Sequence, residues 1–150
     1  WSVSQSQRLP NMWLQKSVEL QAKPRGFHLV SDGILEALPK ISSVNVGLLH
    51  LFLQHTSVSL SINENADSRV RRCMEAHFNQ LAQENASYFE YTCEGPEDMP
   101  AHIKSALLGC EMSLPIAQGR LQLGTWQGIY LDEHRNSASS RTPIATLAGE

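Results

Sequence analysis

"QHTSVSLSINENAD", residues 54–67, is the stretch on which the reading of the chain turns. Val58, Leu60 and Ile62 fall at every second position, which is the period of a strand with one face in the core. The other face then carries Ser57, Ser59, Ser61 and Asn63. A solvated strand would normally show long charged side chains there. Small hydroxyls instead leave space, and the stretch predicts a pocket floor with His55 at its rim.

The segments on either side suit that strand. Upstream, Val44 to Leu53 is almost continuously apolar and predicts a central strand buried on both faces. Residues 13–22 alternate, with Leu14, Val18, Leu20 and Ala22 on one side, until "PRG" at 24–26 interrupts them. Ile34, Leu35, Leu38 and Ile41 mark a short amphipathic helix with Ser31 or Asp32 as its N-cap. Downstream, Val70, Met74, Phe78 and Leu81 recur at helical spacing behind Asp67. A strand is expected over Tyr88–Cys93, then the loop "EGPEDMP", then a helix from Pro100 to Leu108 stopped by Gly109. The remainder is expected to be strand: "EMSLPI", a turn at "AQGR", "LQLGTWQGIYL", and "TPIATLAG" on an edge because of Pro143. Residues 1–11 stand before Met12 as a polar extension to one domain over 12–150. Strands and helices do not alternate as βα units. The expected fold is therefore α+β: one compact domain of mixed or antiparallel sheets with two to three helices.

Composition narrows the classes. The 150 residues are 41% hydrophobic and 18% charged, ordinary for a globular domain of this size. A net charge of −3 leaves no electrostatic footprint for nucleic acid or a membrane surface. Three cysteines without paired spacing argue against a disulfide framework. "WSVSQSQRLPN" has no apolar segment of the kind a signal peptide needs, so a soluble cytoplasmic protein is expected.

Six histidines supply the candidate chemistry. His28, His50 and His77 lie in apolar or amphipathic segments and suit packed, hydrogen-bonded roles. His55, His102 and His134 sit at the ends or edges of elements, close in sequence to carboxylates or core positions. Imidazole with carboxylate is the usual surrounding of zinc or a similar divalent ion, although no short ligand spacing such as HExxH is present. Cys93 and Cys110 read as small hydrophobes or as thiolate ligands. The acidic loop with Glu94, Glu97 and Asp98 reads as a solvated turn or a site for a hard cation. In "LGTWQG", residues 123–128, the glycines around Trp126 mark either a bulge or the close approach of a ligand.

Four segments together, "RGFHLV", "LLHLFLQHTSVSLSINENAD", "EGPEDMPAHIKSALLG" and "GRLQLGTWQGIYLDEHR", resemble the YjbQ-like family, also described as the secondary thiamine-phosphate synthase family. The resemblance implies a trimeric α+β domain and a site built from His55, Asn63, Glu64, His102 and Glu133. It implies transfer of a phosphorylated thiazole onto a pyrimidine diphosphate. His55 and His102 would hold a divalent metal ion (Mg or Zn) or act as acid and base, and Glu133 would orient one of them. Lys104 and Arg135 would neutralise the diphosphate, while Ser57, Thr125 and Trp126 would line the pocket. A small phosphorylated substrate and a homotrimer are the implied partners. Relatives commonly carry a histidine where this chain has Tyr91, so Tyr91, Cys93 or water would complete any metal shell. Two other readings use the same pocket: a trimeric metal- or phosphate-binding protein, and a metal-dependent hydrolase.

Overall fold

The computed structural model describes residues 11–150, so the expected extension lies almost wholly outside the described residues. Its strands are β1 (Met12–Ser17), β2 (Gly26–Leu29), β3 (Val46–Phe52), β4 (Val58–Glu64), β5 (Glu111–Ala117), β6 (Arg120–Leu121), β7 (Gln127–Glu133) and β8 (Ile144–Gly149). Its helices are α1 (Ser31–Ala37), α2 (Ser68–Leu81) and α3 (Asp98–Leu108), with a 3-10 turn at Pro39–Ser43. The strands form two antiparallel sheets, ordered β1-β8-β3-β5-β6 and β2-β7-β4.

The two sheets face one another across the core. Leu49, Leu51, Leu114 and Leu147 enter it from the larger sheet, and Val58, Leu60, Ile129 and Leu131 from the smaller one. Ile34, Leu38 and Ile41 close one end. The alternation in residues 58–62 thus decides the register: Leu60 pairs with Leu131 and Ile62 with Ile129 on the same inward face. The opposite face of the smaller sheet is covered by α2 and α3. Phe78 packs against Phe27 there, and Ser105 Oγ donates to the Val58 carbonyl.

Local signals held where the chain had one choice. Asp67 caps α2, accepting from the Arg69 amide at 2.9 Å, and Gly109 ends α3 at a φ of 91°. The "AQGR" turn has positive φ at Gln118 and Gly119, as a tight hairpin needs, and a Cβ on Gly119 would lie 2.6 Å from the Ser42 carbonyl.

Other expectations are corrected. β3 is central within its sheet but buried on one face only, with Val46 58% and Leu48 52% exposed on the other. Residues 88–93 form turns and coil, because no strand among the described residues lies alongside to pair with them. The run 121–131 divides between the two sheets at a turn in which the Gln127 amide donates to the Gly124 carbonyl. β8 lies between β1 and β3 rather than on an edge; Pro143 stands just before the strand, so its missing N–H takes nothing from the ladder. Val30, not Ser31 or Asp32, occupies the N-cap of α1, and the Ser31 hydroxyl accepts from the Ile129 amide instead. Ala22 is exposed beyond the end of β1. No helix among the described residues is long and apolar enough to cross a membrane.

Candidate functional site

The pairing of β4 with β7 places Glu133 opposite Val58, on the inward face, and buries it completely. A buried carboxylate is expensive unless it is paired and hydrogen-bonded. Arg141 supplies both, with Nε 2.7 Å from Oε1 and a terminal nitrogen 2.7 Å from Oε2. The Arg135 amide adds a third bond at 3.2 Å. Arg141 also donates to Ser57 Oγ at 3.1 Å and meets His55 Nδ1 at 3.3 Å.

That last contact assigns the tautomer of His55. A guanidinium only donates, so Nδ1 must accept and the ring proton sits on Nε2. Burial lowers the His55 pKa, the Arg141 charge lowers it further, and Glu133 opposes both. The ring is neutral near pH 7, and its one side-chain bond among the described residues is at Nδ1, which leaves Nε2–H available.

The other side of the site comes from α3 and the loop before it. Asp98 and His102 are four apart, hence on one helical face, and Oδ2 lies 3.0 Å from Nε2. His102 Nδ1 donates to the Thr56 carbonyl at 2.9 Å. The Tyr91 ring packs edge-on to His102, with centroids 5.7 Å apart. Burial and the Asp98 charge push the Tyr91 phenol up, so it stays protonated. Arg135 Nε lies 3.3 Å from Asp98 Oδ1. A closed ring results: His55, Arg141, Glu133, Arg135, Asp98, His102 and back through Thr56.

The small hydroxyl face of β4 lies behind this ring and is not an open floor. Ser59 is fully buried, its hydroxyl 3.1 Å from Asp132 Oδ2 and 2.8 Å from His134 Nε2, and Ser61 donates to Asp132 Oδ1 at 3.0 Å. Burial raises the Asp132 pKa to about 7, against the two serine bonds. Burial also lowers that of His134 to about 3, with the charges of Lys104, Arg25 and Arg141 adding to it.

The structure therefore brings together His55, Ser57, His102, Glu133 and Arg135. Asn63 and Glu64 pair with Gly128 and Gln127, five and six positions along β4 from Val58, which is about 16 to 20 Å at strand rise. Glu64 there accepts from the Asp67 amide and steadies the start of α2. Thr125 and Trp126 are exposed in the turn at that same distant end, Trp126 by 65%. Lys104 is buried under α2, donating to Asn79 Oδ1 at 2.7 Å. Sequence reasoning passed over Arg141 and Asp132, which carry no local signature. The i, i+4 spacing of Asp98 and His102 was a legible signal.

A resident divalent ion fits this arrangement poorly. An imidazole ligand needs a free lone pair. The lone pair of His55 faces Arg141, and both nitrogens of His102 are engaged. Among the described residues no group of three or more His, Cys, Asp or Glu side chains is placed to hold a metal ion.

A family model described as UPF0047 protein YjbQ-like matches residues 16–150. The chain belongs to this family. It is 55% identical over 139 residues to the UPF0047 protein YjbQ of Salmonella typhimurium, covering 93% of this chain and 100% of that one. A UPF0047 protein of Synechocystis is 44% identical over 136 residues, covering 91% and 92%. Among solved structures, a YjbQ/UPF0047 family protein of Clostridium acetobutylicum superposes with a TM-score of 0.75 at 30% identity, covering 89% of this chain and 98% of that one. A protein of unknown function from Sulfolobus solfataricus has the same fold, with a TM-score of 0.83 at 19% identity over 94% and 100%.

Proposed function

We propose that the ring around His55 is the active site of a transferase acting on a small phosphorylated substrate, in the manner of a thiamine-phosphate synthase. In that reaction the ring nitrogen of a phosphorylated thiazole attacks the methylene carbon of a pyrimidine diphosphate. The carbon–oxygen bond breaks and its electron pair leaves with pyrophosphate. The contact that carries the reading is Arg141 on His55 Nδ1, because it commits Nε2–H to donate outward. A fixed donor aimed at the bridging oxygen stabilises the charge that develops there. Arg135, half-buried and shared with Asp98, adds a cation beside it. Any divalent ion would arrive with the diphosphate, since such ions are commonly held by substrate phosphates and only one or two carboxylates.

Assembly belongs to the same proposal. The outer face of the larger sheet exposes Trp13, Val46, Leu48 and Phe52, and no element among the described residues covers it. A row of apolar and small residues of that extent suits burial against further copies in a homotrimer.

The decisive test incubates the full chain with the two phosphorylated halves and measures thiamine phosphate by chromatography. Product from the wild type, and a loss of about 100-fold or more in His55→Gln, are expected. No product from well-folded wild type overturns the transferase reading.

A further inference from the structure

α2 touches β2 where Phe78 meets Phe27, with centroids 5.9 Å apart. One and two turns earlier, the helix and β2 flank an open groove of about 400 Å³ lined by Arg25, Arg71, Arg72, Glu75 and the apolar Phe27 and Ala76. None of its lining residues belongs to the ring around His55.

The polar groups here are out of balance. Four of the five N–H donors of Arg25 are used, by Glu75 at 3.2 Å, Glu84 at 3.0 Å, Asn79 at 2.6 Å and Asn136 at 3.2 Å. Arg71 Nε is shut away from solvent without a partner among the described residues, and so is Glu75 Oε2. Asn79, which lines the groove, already accepts from Arg25 and from Lys104. Lys104 is 1% exposed and has no carboxylate partner among the described residues. Buried cations are normally paired. Buried Lys104 and half-buried Arg25 and Arg71, with Arg72 at the exposed rim, stand against Glu75 and Glu84, a surplus of two positive charges. Asp132 behind Phe27 withholds much of its charge near neutral pH.

We propose that the groove between β2 and α2 binds a small organic phosphate, as a second anion site distinct from the ring around His55. A phosphate carries about −1.5 to −2 charge at pH 7, which matches the surplus, and its oxygens suit the fork of an arginine. The terminal nitrogens of Arg71 and Arg72 take the phosphate, and Phe27 with Ala76 meets the apolar body of the ligand.

The test uses His55→Gln protein, so that the ring contributes little, and titrates it with phenyl phosphate by calorimetry. Saturable binding is expected, weakened about tenfold or more when Arg71→Gln is added, since that removes charge-assisted bonds. Arg71→Lys should recover part of the loss. Arg72→Gln, on the exposed rim, should weaken binding without threatening the fold. No saturable binding, or affinity unchanged by both glutamine variants, overturns the site. Equal affinity for benzoate overturns the assignment to phosphate. Binding abolished by His55→Gln alone would place it in the ring and also overturn the proposal.

Discussion

Arg141 grips Glu133 through two nitrogens at 2.7 Å each, and both side chains are withdrawn from water. The pair joins the end of β7 to the start of β8 across the point where β4 begins, so it organises the backbone as well as the site. Removing one member leaves the other charged and buried. Arg141→Met should lose about 3–5 kcal/mol in urea unfolding. Glu133→Leu combined with Arg141→Met should lose less than the sum of the single changes. Additive losses would show that the two do not act as a pair.

Asp132 and His134 should give the protein opposing pH dependences that largely cancel. Asp132, raised to about 7, contributes stability that is present below its unfolded pKa near 4 and lost as pH rises through 7. His134, lowered to about 3, contributes stability present above its unfolded pKa near 6.5 and lost as pH falls towards 3. Each is worth a few kcal/mol over its window, at about 1.4 kcal/mol per pH unit. Asp132→Asn should therefore make stability fall on acidification below about 6.5, and His134→Gln should make it fall as pH rises from 4 to 7. Unfolding curves of the two variants with the same pH slope would contradict this.

The open sheet face makes a separate prediction. Leu48 is flanked by Ala148 and Pro115 in the neighbouring strands, and His50 on the same face is paired with Glu111. Light scattering should give about 50 kDa for the wild type, three times the 16.7 kDa chain. Leu48→Arg should shift the mass to that of one chain while the far-ultraviolet spectrum is retained. A wild-type mass of a single chain at micromolar concentration would remove the trimer.

Metal affinity should be weak and should respond to Tyr91. Zinc titration of the wild type should show no tight site, because His55 and His102 have no lone pair to spare. Tyr91→His places an imidazole with a free lone pair against His102 and should tighten binding about tenfold or more, provided His55 and His102 turn from their present partners to join it. Equal affinity in Cys93→Ser would exclude the cysteine, which is exposed and free. A tight wild-type site that survives Tyr91→Phe would show that the two histidines turn away from their present partners.

The amino-acid sequence by itself determined the elements whose pattern is local. The period of two through Val58, Leu60 and Ile62 produced β4, the period of 3.6 from Val70 to Leu81 produced α2, and Asp67 and Gly109 marked ends. His55, His102 and Glu133 were legible too, through the resemblance of their surrounding motifs. Only the tertiary structure decided which strands pair, because an apolar run such as Val44–Leu53 looks the same whether one face or two are covered. It also decided that residues 88–93 have no strand partner among the described residues and that Glu64 lies at the far end of β4 from the Val58 end, beside which His55 stands, with Trp126 next to that far end. Arg141 shows why. Nothing in "SSRTPI" distinguishes it from a surface arginine, and its role arises only because folding buries Glu133, whose charge is then met by the Arg141 guanidinium.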